Sequence, residues 1–212
     1  MKIKLILIIM IVISLIPLPV QASEEKSLMI VAHPDDETIW GGSHLLEGKY
    51  TVLCITNGNN KKRKKEFLEA MKKAKVQGVI LNYPDKTKGK RDNWKKCYSK
   101  INQSIKQYID SQNWKQVVSH NPDGEYGHIH HKMVSKMVTK VMERENKTQQ
   151  LIYFGRYVAK KNKRKLLIRK PVALKLYGKK KTMIQCYPSQ KKVMDHLGHM
   201  LPYENWVAYS KW

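Results

Sequence analysis

The sequence predicts an α/β fold in three layers around a mostly parallel sheet, and three observations lead there. Short β-rich apolar runs alternate along the chain with longer segments of helical periodicity. The clearest runs, Leu28 to Ala32 and Tyr50 to Thr56, are apolar almost throughout rather than at every second position, as in strands covered on both faces. The bulk composition suits a packed domain, with 212 residues, 42% hydrophobic and 27% charged. Three cysteines are too few for a disulfide framework.

The elements follow in order. Residues 1–22 read as a secretory signal peptide: basic Lys2 and Lys4, an apolar run from Leu5 to Leu15, Pro17 and Pro19, and a small residue at Ala22. An uncleaved N-terminal anchor is the alternative. Residues 23–212 are then one domain. Leu28 to Ala32 is a first strand, Thr38 to Leu46 a short helix, and Tyr50 to Thr56 a second strand stopped by Asn57-Gly58-Asn59-Asn60. Lys61 to Gln77 is helical, with Phe67, Met71 and Ala74 on one face and Gly78 as its C-terminal cap. Val79 to Tyr83 is a third strand. Asn93 to Asp110 is a helix marked by Ile101, Ile105 and Ile109. Lys115 to Ser119 is a fourth strand, and Ile129 to Glu143 a helix. Leu151 to Tyr157 and Val172 to Leu176 read as later strands, the Lys-rich stretch 159–170 as a loop or hairpin, and Gln190 to Leu201 as a last helix.

Right-handed crossovers bring every strand-to-helix loop to the carboxyl ends of the strands, where a ligand site is expected. Two loops there concentrate chemistry. The first is Ala32-His33-Pro34-Asp35-Asp36-Glu37, after the first strand. The second, after the fourth, runs from His120 to His131 and includes Asp123, Glu125, Tyr126, Gly127, His128 and His130. Together they hold five of the eight histidines.

A hydrolytic metal site needs about three N/O ligands, an open position for water and a base beside it. His33 and Asp36 supply a nitrogen and an oxygen from one tight loop, which leaves Asp35 as base. The third ligand comes from the second loop. At about 100° per helical residue, His128 and His131 lie about 60° apart and share a face. His130 falls in the apolar stripe of Met133, Val134 and Met137 and is expected to pack or point away. The run Lys61 to Lys65 reads as a solvated helix start, with Arg63 turned toward the site. His196 and His199 lack a carboxylate loop and read as structural.

The chain has 41 basic against 17 acidic residues, a net charge of +24, yet only six of the basic residues are arginine. Proteins built to grip phosphate or guanine favour the arginine fork. The lysine excess is read either as composition or as attraction to an anionic wall polymer or membrane surface. Export argues against nucleic acid. It also sets an oxidising context in which Cys54 is buried and pairing of Cys97 with Cys186 stays open.

At these residues the chain resembles the PIG-L/LmbE family of zinc-dependent N-acetylglucosaminyl deacetylases, from about Lys26 to the C-terminus. The two loops match the family's motifs, as do Gly41-Gly42, Thr56-x-Gly58, Arg63-x-x-Glu66 and Cys186-Tyr187-Pro188-Ser189-Gln190. The resemblance implies a Rossmann-like fold, zinc on His33, Asp36 and His131, and Asp35 as general base. It further implies His128 as oxyanion stabiliser, Arg63 and Tyr126 toward substrate, and an N-acetylated sugar as that substrate. Ferrous iron suits the same N₂O donors. Asp123 or Glu125 is expected to orient His128 or His131 and to keep His128 cationic. Competing readings are hydrolysis of another N-acyl bond, or a basic glycan- or membrane-binding protein on the same scaffold without chemistry.

Overall fold

The computed structural model describes residues 26–212, and the predicted signal segment lies outside them. The elements are β1 (Ser27–Val31), α1 (Asp36–Glu47), β2 (Tyr50–Thr56), α2 (Lys61–Ala74), β3 (Gln77–Tyr83), β4 (Lys86–Thr87) and β5 (Lys90–Arg91). After them come α3 (Tyr98–Asp110), β6 (Val117–Ser119), α4 (Ile129–Arg144), β7 (Leu151–Tyr153), α5 (Leu174–Ile184), α6 (Lys191–Leu197) and β8 (Val207–Ala208). Six strands form one sheet in the order β3-β2-β1-β6-β7-β8, while β4 and β5 make a separate antiparallel hairpin. All pairings in the main sheet are parallel except that of β8 with β7.

The period-two alternation of strand side chains divides the core into two halves. Met29, Val31, Val52 and Cys54 face α1, α2, α5 and α6 through Ile39, Phe67, Met183 and Leu197. Leu28, Ile30, Leu53 and Ile55 face α3 and α4 through Ile101, Ile105, Val134 and Val138. β1 is buried along its whole length, which explains its unbroken apolar sequence. The chain winds from β1 out to β3, then returns to β1's other side with β6. The strand order therefore reverses between β1 and β6, and the two His-rich loops leave those two strands at that crevice.

Three sequence expectations need correction. Val172 to Leu176 is no strand: Leu174 opens α5, whose interior buries Lys180 in place of an apolar residue. Gly78 does not cap α2. Lys75 makes that left-handed turn with φ 58°, and Gly78 lies in β3, where a Cβ would sit 2.5 Å from Met71 Cγ. The predicted strand after Leu151 ends at Tyr153, and β8 was too short to read. Cys54, Cys97 and Cys186 are all free thiols.

Candidate active site

The first loop is a tight turn between β1 and α1. The Asp35 carbonyl accepts from the N–H groups of Thr38 and Ile39 as α1 begins. Asp35 itself has φ 116°, a backbone region that favours glycine. Its N–H donates to Glu37 Oε2 at 3.0 Å. Glu37 is in turn fixed by hydroxyl donors from Thr38 and Tyr187, each at 2.6 Å from Oε1. The Asp35 carboxylate does not cap the helix. It meets Arg63 Nη2 at 3.2 Å. Burial and the Asp36 charge push its pKa up to about 8, against the pull of Arg63.

Asp36 lies at the centre of the cluster. Its Oδ2 accepts from the His33 N–H at 2.8 Å and lies 3.1 Å from His33 Nδ1. Its Oδ1 lies 3.3 Å from His131 Nε2. Although burial opposes it, contact with His131, His120 and His33 holds the Asp36 carboxyl well below the ordinary range. Burial would lower the His33 imidazole, but the Asp36 and Asp85 carboxylates override it and raise its pKa to about 9.

The second loop is stitched to the first. The Ala32 N–H donates to His120 Nε2 at 2.9 Å, so the His120 proton sits on Nδ1 and points to Glu125 Oε2 at 3.0 Å. The same Glu125 oxygen lies 2.5 Å from His131 Nδ1, and Glu125 Oε1 accepts the Asn121 N–H at 3.0 Å. His131 therefore carries its proton on Nδ1 and leaves Nε2 free for an ion. Glu125 is thus the carboxylate that orients His131. Burial opposes its charge, yet the two imidazoles bring its pKa down to about 2.

These contacts fit a bound metal. His33 Nδ1 lies 3.1 Å from Asp36 Oδ2 and 3.3 Å from His131 Nε2, which in turn lies 3.3 Å from Asp36 Oδ1, separations close to the edge of a tetrahedron with bonds of roughly 2.0–2.2 Å. His33 Nε2 faces His130 Nδ1 at 3.1 Å and Asp85 Oδ1 at 3.3 Å, which turns its Nδ1 toward the site. A cavity of about 630 Å³ opens beside them, lined among others by Asp35, Arg63, Asp85, Tyr126 and Gln190.

Several predicted residues stand differently from expectation. Asp123 is exposed and pairs with Arg156 at 3.4 Å, away from the histidines. His128 is the N-cap of α4, its Nδ1 accepting the His130 N–H at 3.2 Å. No carboxylate pairs with it among the described residues. Burial, with His131 and His33 nearby, pushes its pKa down to about 2, so the ring is neutral rather than cationic. His130 packs, one of its two expected placements, but it also takes part in the cluster. It stacks on Trp94 at 4.0 Å and reaches into the cluster. Arg63 lines the cavity, but its guanidinium is held by Pro34 O, Asp35, Glu66 and Ser189. Tyr126 lies at the rim, its ring 5.6 Å from that of His131 and 6.0 Å from that of His128.

Sequence reasoning missed Asp85 and gave His120 and Ser189 no individual role. Asp85 follows β3 in no motif. His120 was noted only as part of its loop. Ser189 joins the two outlying patterns: its N–H and hydroxyl donate to the two Glu66 oxygens at 2.9 and 2.6 Å.

The chain is 34% identical over 128 residues to an uncharacterized protein of Acanthamoeba polyphaga mimivirus. That match covers 52% of this chain and 55% of the relative, so the chain spans about half of that protein's length. The fold is similar to that of N,N'-diacetylchitobiose deacetylase from Pyrococcus horikoshii, solved with its inhibitor MPG. The TM-score is 0.62 at 16% identity, covering 84% of this chain and 75% of the other. Residues 28–142 match the model of the PIG-L family, GlcNAc-PI de-N-acetylase, a span that holds both His-rich loops. The chain belongs to the PIG-L family.

Proposed function

We propose that this protein is a metal-dependent hydrolase that removes the acetyl group from an N-acetylglucosamine unit of a glycan or glycolipid. One observation carries the reading: His33, His131 and Asp36 converge through contacts of 3.1 to 3.3 Å beside a cavity that His33, Asp36 and Asp35 line. The family description, GlcNAc-PI de-N-acetylase, and the diacetylchitobiose deacetylase activity of the structural neighbour support the substrate class. In this reading His33, Asp36 and His131 hold zinc, or ferrous iron, which suits the same donors. The ion, when bound, brings the pKa of water toward neutrality and polarises a carbonyl.

The remaining roles belong to the chain. Asp35, its pKa raised by burial and by Asp36, takes the proton of the attacking water. It later gives that proton to the departing nitrogen as the C–N bond breaks, leaving acetate and a free amine. Arg63 fixes the Asp35 carboxylate. His128, neutral and with Nδ1 already accepting a hydrogen bond, has its proton on Nε2 and donates it to the developing oxyanion. Tyr126 covers the acetyl group from the rim. Residues 1–22 direct export in this reading.

The test is acetate release from N-acetylglucosamine derivatives with and without a chelator, alongside mass spectrometry of acetylated glycans and glycolipids. Chelator-sensitive loss of one acetyl group is the expected result. Hydrolysis confined to acyl groups on other amines would overturn the sugar assignment.

A further inference from the structure

Residues 146–194 contain fifteen lysines and arginines and no aspartate or glutamate. Within that stretch, the segment from Lys160 to Leu174 also exposes apolar side chains. Leu167 is 82% exposed, Ile168 91% and Leu174 89%. They are three of the six large hydrophobic residues exposed among the described residues. Lys160, Lys161, Lys163, Arg164, Lys165 and Lys170 beside them are exposed as well.

The segment is tied to the fold. Leu166 is buried in the core, Arg169 donates to the Arg156 carbonyl at 2.6 Å, and the Val172 N–H donates to Pro202 O at 2.7 Å. Burial of Leu166 leaves its neighbours Leu167 and Ile168 outside. The segment also starts at the catalytic edge. The chain leaves the carboxyl end of β7, and the Tyr157 ring lies 6.0 Å from that of Tyr126 at the cavity rim.

Lysines ringing exposed leucine and isoleucine match a bilayer surface better than a soluble polyanion. An anionic polymer in water satisfies the lysines and gives the apolar side chains nowhere to go. An anionic membrane interface takes both. Among the described residues, no helix is long and apolar enough to cross a membrane. We infer that the 160–174 segment docks this protein on an anionic phospholipid bilayer, with the lysines against headgroups and Leu167, Ile168 and Leu174 in the interface. The inference rests on the deacetylase reading for its purpose, which is to bring the cavity to a lipid-borne acetylated sugar.

The test is hydrogen–deuterium exchange on the full chain, which reads this segment whatever the N-terminal residues do. Three probes are compared: phosphatidylcholine vesicles, the same with phosphatidylglycerol in about a two-to-one ratio, and soluble polyglycerol phosphate. Protection of residues 160–174 is expected on the anionic vesicles alone. Combining Leu167→Ser, Ile168→Ser and Leu174→Ser should weaken that protection about tenfold. Equal protection by polyglycerol phosphate, or by vesicles with the triple variant, would overturn the proposal in favour of charge alone. Acetate release from a soluble acetylated sugar is measured in parallel and should not change in the triple variant. Absent protection with intact acetate release sinks only the docking. Intact protection with no release from any acetylated sugar sinks only the deacetylase reading.

Discussion

His130 Nδ1 lies 3.1 Å from His33 Nε2, and together with Asp85 Oδ1 at 3.3 Å from the same nitrogen it turns His33 Nδ1 toward Asp36 and His131. His130 Nε2 lies 2.6 Å from the Asp92 carbonyl, which can only accept, so Nε2 carries the proton and Nδ1 is an acceptor. Burial keeps the ring neutral by pushing its pKa down to about 4. His33 must then donate from Nε2, and Nδ1 is the nitrogen left for the ion. A chain of backbone carbonyl, imidazole and imidazole thus favours one tautomer of the proposed metal ligand His33.

Removing that contact should cost metal more than fold. His130→Ala is expected to weaken zinc binding by roughly tenfold to a hundredfold, measured by competition with a chelator of known affinity. His130→Gln, whose amide oxygen can accept from His33, should recover part of the loss. Equal affinity in wild type and both variants would show that the contact does not orient His33.

Asp35→Asn keeps the size of the side chain and removes the proposed base. Turnover should fall by roughly 10²- to 10⁴-fold, while metal content measured by atomic absorption stays near one per chain. Asp35 is not among the proposed ligands, so a metal-free variant would refute its assignment as base rather than ligand.

Glu125 gives the metal-free protein an acid-labile element. Its pKa is lowered from 4.5 to about 2 in the fold. A carboxylate depressed in this way stabilises the folded state above its unfolded pKa, and the effect is lost as pH falls through the folded value. Melting of the chelated protein should therefore drop between about pH 5 and pH 2, by on the order of 3 kcal/mol at full loss. Glu125→Gln should start less stable and show a flatter curve across that window. An identical slope in both proteins would remove Glu125 as the cause.

Lys180 joins α5 to α1 and the C-terminal chain. Its Nζ reaches Glu204 Oε1 at 2.6 Å and the Ile39 and Leu201 carbonyls at 2.7 Å each, with no exposed surface. Breaking a buried pair leaves the other charge stranded, at roughly 3–5 kcal/mol. Glu204→Leu alone should destabilise by about that much in denaturant unfolding. Adding Lys180→Met should recover a large part of it. A double variant no better than the single would mean that the carbonyl contacts, and not the charge pair, dominate.

These cases mark what the sequence made legible. Both His-rich loops could be placed at one sheet edge because strand burial and crossover handedness act over whole elements. Asp35, Asp36 and His33 were readable because they share one turn. Asp85 and His130 were not. Asp85 reaches His33 from a separate connection after β3, and His130 looked like part of an apolar stripe until Trp94 gave its ring a stacking partner. The charge state of His128 was misjudged for a related reason. Glu125 and Asp36 were near in sequence or topology, but both turn to His131. α5 was hidden because Lys180 fills the place where a helix of this kind shows an apolar residue.

The backbone of Asp35 offers a last measurement that separates catalysis from stability. Its φ of 116° is unfavourable for any residue with a Cβ, at roughly 1–3 kcal/mol. The turn holds it there because its carbonyl must accept from Thr38 and Ile39 while its N–H meets Glu37. Asp35→Ala and Asp35→Gly both delete the carboxylate and both leave Arg63 with Glu66, so those losses cancel in the comparison. Only the strain differs. Glycine ordinarily costs about 0.5–1 kcal/mol against alanine within regular structure, yet here Asp35→Gly should be the more stable variant by about 1 kcal/mol. Both should be inactive. If Asp35→Ala unfolds at the same or higher denaturant concentration, the turn relaxes without penalty and the strain is not what fixes the carboxylate in place.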